Sequence, residues 1–415
     1  MSGPATLAAS SAILKTRYPE GRLPKAQYKN FKHMSMLRKV EDFSGENKVI
    51  ALQTENPQGS SADYGTALSN LEQGTYVRFT VTPVNHYGIA RIRGDALKRA
   101  SSSMGSLVDL WKNETDGISQ TELKLHEIHS FRNGTGVLGT INSTVSSTSI
   151  TLSQAADIVH FNIGMTLQAV SSATSLSPTV RGGTAKITGL DRKAGTITFG
   201  SNLDSLLSGV LNGDSLVQSG DAASGGTATV ITGTALWVEG GTSPSTLFGR
   251  TRTTDPVRLA GQAPDLTGIN MEDALIEAEA ALVVQGFATD TLTCWANPLT
   301  LKELKKTVGG KVTYPRTEMA SAIPGISFKA YEFEGDNGTI KIISNPFFPV
   351  GQFLLSDMSE LSFESMGPAP HLQDYDTNKF LRTGTDDTWQ VAFATYGQLF
   401  CWMPVKFLRG LNWGA

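Results

Sequence analysis

Between Gly74 and Ile128 the hydrophobic period changes once, and that change limits the architectures open to the chain. In Gly74-Thr-Tyr-Val-Arg-Phe-Thr-Val, the apolar Val77, Phe79 and Val81 alternate with Tyr76, Arg78 and Thr80. A period of two with β-branched content marks a half-buried strand. Pro83 and Asn85 predict a turn, after which Tyr87-Gly-Ile-Ala-Arg-Ile-Arg-Gly returns as a second strand of a hairpin. From about Met104 the period becomes roughly three and a half. A helix is expected from about Ser103 to His129, with Leu107, Trp111, Ile118, Leu125 and Ile128 along one stripe. Gly117 weakens it by about 1 kcal/mol relative to Ala, and Asn133-Gly134 closes it. A hairpin feeding a helix of about seven turns is too extended to bury itself within one domain, so the pattern points to assembly with neighbours.

The 415 residues allow two or three domains and a substantial core. Charged residues, at 18%, fall below the usual quarter, and Gly, Ser and Thr fill the gap, which favours turns and short strands over a helical bundle. Cys294 and Cys401 lie in apolar runs and predict buried free thiols and a reducing compartment. No apolar core like that of a signal peptide opens the chain, and no stretch is long enough to cross a bilayer, so a soluble protein made in a cytoplasm is expected.

The formal charge of −3 conceals a basic segment. Lys15, Arg17, Arg22, Lys25, Lys29, Lys32, Arg38 and Lys39 are opposed only by Glu20, a pattern suited to nucleic acid or an acidic partner surface. Pro4, Pro19, Pro24 and Pro57 interrupt any long helix, so residues 1–60 read as an irregular arm that orders by lying on other surfaces.

From about Val137 to Gly241 the composition shifts to Ser, Thr and Gly. Strand-like runs begin at Ser149, Met165, Ala185, Thr196 and Asp214, with turns at Lys193-Ala-Gly and Asn212-Gly213. This spacing predicts a small all-β barrel or sandwich inserted between helix-bearing halves. Beyond Asp255-Pro256 the pattern is mixed. Asn270 should cap a helix that buries Ala274, Leu275, Ala278, Leu282 and Val283 and closes at Gly286. A strand over Thr291–Ala296 follows, then a helix capped by Asn297 with Pro298 first and Leu301 and Leu304 inward. Further strands are expected over Ser327–Phe333, Ile340–Ser344 and Gln352–Leu355, and one buried on both faces over Trp389–Met403.

Motifs for chemistry are weak. Gly134-Thr-Gly-Val-Leu-Gly139 matches a dinucleotide fingerprint, but it follows a helix instead of opening one, so it reads as a helix exit. Glu122, His126 and His129 share one helical face with metal-ligand spacing, yet a surface cluster without further ligands nearby reads as solvated. His33, His86, His160 and His371 stand isolated in sequence. Neither a nucleophile elbow, a P-loop nor a Cys-x-x-Cys motif occurs, and Asp374/Asp376 and Asp386/Asp387 sit in polar loops. No catalytic, cofactor or metal site is therefore expected, and the chain is not read as an enzyme.

The run Tyr87-Gly-Ile-Ala-Arg-Ile-Arg-Gly-Asp-Ala-Leu, with Gly105-Ser-Leu-Val-Asp-Leu and Glu114-Thr-Asp-Gly-Ile, resembles major capsid proteins of tailed bacteriophages. Asp255-Pro-Val-Arg-Leu-Ala-Gly, Ala296-Asn-Pro-Leu and Met366-Gly-Pro-Ala-Pro-His extend the likeness on the far side of the β-rich insert. The resemblance implies an α+β Hong Kong 97 phage-type capsid fold. Its implied layout is an N-arm over 1–60, an E-loop hairpin over 61–102, and a spine helix with peripheral domain over 103–140. An inserted β-domain over 141–245, an axial domain over 246–370 and a return strand within 371–415 complete it.

The same resemblance implies a structural protein that forms hexamers and pentamers of itself in an icosahedral head around phage double-stranded DNA. Arg78, Phe79, Tyr87, Arg91, Arg93 and Trp111 become candidates for inter-subunit contact. The basic residues from Lys15 to Lys39 become candidates for nonspecific contact with DNA or a partner. A separate scaffolding protein, a portal and a cement protein are implied partners, with no membrane. Some members of the family crosslink through an E-loop Lys; between Leu71 and Gly94 this chain has none, so a noncovalent shell is expected. Two other readings are an encapsulin nanocompartment on the same fold, and a carbohydrate-active enzyme with a β-rich binding module.

Overall fold

The computed structural model describes residues 31–100, 110–286, 291–308, 316–320, 327–335, 338–374, 381–382 and 386–414. The described residues begin with α1 (Lys32–Met36), β1 (Arg38–Val40), β2 (Lys48–Glu55), α2 (Tyr64–Ser69), β3 (Thr75–Val81), β4 (Val84–Arg93) and α3 (Gly94–Ala100). The long helix α4 (Leu110–Phe131) runs unbroken through Gly117. Of its expected apolar stripe, Leu125 and Ile128 are buried and Ile118 is half-buried.

Six short strands of one sheet follow: β5 (Val137–Thr140), β6 (Ser149–Thr151), β7 (Thr166–Val170), β8 (Ala185–Asp191), β9 (Thr196–Phe199) and β10 (Ser215–Gln218). They pair in the order β5-β10-β7-β8-β9-β6. An Ile141–Leu152 bridge joins the first strand to the last and closes the barrel. Closure removes free edges. Alternating residues such as Ile150, Leu167, Ile187, Ile197 and Leu216 fill it, and Leu125 and Ile128 of α4 share the same core. Five of these strands match the expected runs. The first, β5, starts within the Gly134–Gly139 motif just after Gly136, which takes φ +80° and packs so closely on the Asp221 carbonyl that no Cβ fits.

The main elements beyond the barrel are α5 (Met271–Val284), β11 (Thr291–Ala296), α6 (Pro298–Val308), β12 (Arg316–Ala320), β13 (Ser327–Glu334), β14 (Thr339–Ser344) and β15 (Phe353–Ser356). They are followed by β16 (Leu361–Ser365), β17 (His371–Leu372), β18 (Leu381–Arg382), β19 (Thr388–Cys401) and β20 (Phe407–Gly410). One mixed sheet has the order β12-β13-β14-β11-β15-β20, with α5 and α6 packed beside it. Asn270 occupies the N-cap position of α5 without a side-chain capping bond, whereas Asn297 Oδ1 accepts from the Leu299 N–H. Cys294 and Cys401 are buried free thiols, as expected.

The other large sheet is organised on β19. Strand β4 runs antiparallel along it from Val84–Gly397 to Arg93–Thr388. Strands β16, β17 and β18 also pair with β19, and β1 lies parallel to β16. The expected hairpin is therefore wrongly paired. Strand β3 pairs with β2, from Lys48–Val81 to Glu55–Thr75, and not with β4. The reason is extent: β4 gains a ladder of ten residue pairs on β19, and its inward His86, Gly88, Ala90 and Ile92 fall beneath α4. The expected irregular arm is corrected in the same region, since residues 32–55 hold one helix and two strands. Residues 1–30 lie outside the described residues.

Candidate assembly surface and a buried polar cluster

The β2/β3 hairpin has two unlike faces because its side chains alternate. Ile50, Leu52, Val77, Phe79 and Val81 point into the main core, where the Phe79 ring meets Trp237 edge to face at 5.5 Å. Phe79 is thus fully buried within its own chain, and its candidacy as an inter-subunit contact is overturned. Arg78, Tyr87, Arg91 and Arg93 are exposed, and Tyr87 stacks edge-on against Tyr396. The Trp111 side chain lies outside what is described.

At the hairpin's far end, the Asp63 carboxylate caps α2 by accepting the Thr66 N–H at 2.8 Å. This six-residue helix buries none of its residues, while Tyr64, Leu68 and Leu71 are exposed, Tyr64 by 84%. So short a helix draws little stability from its own hydrogen bonds. Tyr76 adds to the apolar surface on the outward face of β3.

The base of the hairpin is anchored differently. Lys48 Nζ reaches the buried Glu364 carboxylate at 2.5 Å and Asp42 at 2.9 Å. Lys32, a candidate for DNA contact, instead donates to the Ser344 carbonyl at 2.8 Å, and burial lowers its ammonium. Arg38 and Lys39 are exposed; Lys15, Arg17, Arg22, Lys25 and Lys29 lie outside the described residues.

Two of the histidines that look scattered in sequence, His33 and His86, meet α4 side chains. Glu122, His126 and His129 are buried, so their expected solvation is corrected: this helix face lies under β4 and the barrel exit. His86 Nδ1, from β4, stands 2.5 Å from Glu122 Oε2, and its Nε2 lies 3.6 Å from Asp221 Oδ2. Burial pulls the His86 imidazole down, but Asp221 and Glu122 outweigh it and hold the group at about 10. His126 Nε2 meets Thr395 Oγ1 at 2.9 Å, and burial drives its titration well below the ordinary range. His129, also lowered by burial to about 4, has no hydrogen-bond partner on either ring nitrogen.

One turn away, Glu127 links α1 to α4 by accepting the His33 and Met34 N–H groups and the Asn345 amide. Sequence reasoning missed His86 and Asp221 as members of the cluster. The one legible signal was His86 at an inward-facing position of an alternating strand.

No family model matches the chain, and no curated protein matches its sequence. Solved structures do match its fold. The capsid asymmetric unit of cyanophage A-1(L) is similar with TM-score 0.55 at 10% identity, over 98% of this chain and 98% of that one. The capsid of an empty GTA particle is similar with TM-score 0.51 at 8% identity, over 99% and 98%. The chain has the Hong Kong 97 phage-type capsid fold implied by its sequence resemblance. Among the described residues, no helix is long and apolar enough to cross a membrane.

Proposed function

We propose that this chain is a structural major capsid protein, assembling as hexamers and pentamers of itself into an icosahedral phage head around double-stranded DNA. The observation that carries this reading is the end-to-end likeness of fold to capsid chains, with 98% of both chains covered in the first comparison. The exposed apolar tip of the β2/β3 hairpin supports it, because a helix without buried residues gains stability only from a neighbouring surface. In this reading that hairpin, over 48–81, is the reaching loop, α4 the spine, the β11–β15 sheet the axial domain, and the barrel an insertion facing outward.

The role is structural, not enzymatic, and its place is the virion, built in the host cytoplasm. A scaffolding protein, a portal and a cement protein are the partners it would need. Contact with DNA would be electrostatic and salt-sensitive, through Arg38, Lys39 and the basic residues before Phe31.

Electron microscopy of the purified full-length chain tests the proposal. Uniform polyhedral shells are the expected result, and packaged DNA in particles from infected cells would separate a phage head from an encapsulin. A persistently monomeric protein with no closed shells under any assembly condition would overturn it.

A further inference from the structure

We propose that His86, Glu122 and His126 form a binding site for one transition-metal dication of the zinc class, seated between β4 and α4. Each offers a ligand atom within 4.8 Å of the others, and all three are buried. Zinc bonds to nitrogen and oxygen are about 2.0–2.2 Å, which spaces tetrahedral ligand atoms by about 3.4 Å. Small side-chain rotations therefore suffice to close the triad on an ion.

Two further observations favour an ion over a chance cluster. First, the far side of each imidazole meets a polar group. His126 Nε2 is hydrogen-bonded to Thr395 Oγ1 at 2.9 Å, an outer partner that fixes the ring and leaves its other nitrogen for the metal. His86 Nε2 faces the Asp221 carboxylate at 3.6 Å, an ion-pair distance just beyond a hydrogen bond. The other His86 nitrogen, Nδ1, lies 2.5 Å from Glu122 Oε2, so the cation would take the place of the proton shared there.

Second, the surroundings hold polar atoms without partners. His129, one turn on and 1% exposed, has neither ring nitrogen hydrogen-bonded, and Asp221 Oδ2 has no hydrogen-bond donor. Buried atoms left so are costly, and an ion or its bound water is a standard remedy. Two imidazoles and one carboxylate select zinc, cobalt or nickel over magnesium or calcium. The bound ion would pin the long sheet to α4 and, through Asp221, hold the segment that leaves the barrel. The proposal does not depend on shell assembly.

The test uses the untagged full-length chain, stripped with chelator and titrated with Co²⁺, Zn²⁺ and Mg²⁺. One equivalent of Co²⁺ per chain with visible d–d absorption, displaced by Zn²⁺ but not by Mg²⁺, is expected. Zn²⁺ should also raise the melting temperature of the wild-type chain. Glu122→Gln and His126→Asn should each weaken Co²⁺ binding by about tenfold or more, while His371→Asn leaves it unchanged. Because the variants could fold poorly, the wild-type readout stands by itself. A folded wild-type chain with no cobalt spectrum and no melting shift with Zn²⁺ would overturn the site, as would undiminished Co²⁺ binding in folded Glu122→Gln and His126→Asn.

Discussion

A Cβ placed on Gly88 would stand 2.6 Å from Glu122 Oε1, so β4 carries glycine at the point where α4 turns a carboxylate inward. The Glu122 Cγ and Cδ atoms are nearly as close, so the whole side chain would have to move. Gly88→Ala should destabilise the chain by about 1–3 kcal/mol. Chemical denaturation of Gly88→Ala, Glu122→Ala and the double variant checks this, and the two losses should be clearly less than additive.

Glu127 predicts a pH dependence. Burial pushes its carboxyl up to about 7, although the His33 and Met34 N–H groups and the Asn345 amide oppose the shift. A group whose titration is raised by folding stabilises the fold fully below its unfolded value, and that contribution is lost as pH rises through the folded value. Between about pH 4.5 and 7 the wild-type chain should therefore lose stability relative to Glu127→Gln, by at most about 3 kcal/mol. Paired urea melts at pH 5 and pH 8 measure the difference; an equal pH slope in both proteins would contradict the assignment.

Removing the same carboxylate tests its packing role at fixed pH. Glu127→Ala leaves two backbone N–H groups and the Asn345 amide without their acceptor, which should cost on the order of 3 kcal/mol. The loss should appear as a lower melting temperature together with easier proteolysis near α1.

On the proposed function, shells of this chain should dissolve to monomer-sized bands in hot detergent. Between Val49 and Val81 the hairpin holds no lysine, and Lys48 at its base is engaged by Glu364 and Asp42. A ladder of covalent multimers on a denaturing gel is the contrary result.

The barrel should be excisable only at particular joints. Val137 and Val217 face each other across β5 and β10, so a short turn can replace the strands between them. A cut over 145–240 also removes Trp237, which packs on Phe79 and donates from Nε1 to the Leu399 carbonyl. Circular dichroism and thermal scanning should find the first deletion folded though less stable, since Leu125, Ile128 and Phe347 lose their cover. The second should not fold.

Much of the local structure was legible in the sequence. The period of two marked β3 and β4, the longer period marked α4, and β-branched runs between Gly and Asn turns marked five barrel strands. Strand β2 was hidden because Val49, Ile50, Ala51 and Leu52 are all apolar, so no alternation shows although only Ile50 and Leu52 are buried. The Gly134–Gly139 motif concealed β5 because three of its six residues are glycine, which carries no hydrophobic pattern.

By itself, then, the sequence determined which segments are strands and helices and which of their faces are apolar, because periodicity is written in neighbouring residues. Only the tertiary structure decided their partners. Strand β4 joins β19 instead of β3, since a ladder's worth depends on a segment some three hundred residues away in the chain. The same holds for the polar cluster: His86 becomes a neighbour of Glu122 and Asp221 only after three separate elements pack, and the two carboxylates then outweigh burial and raise the titration of its imidazole.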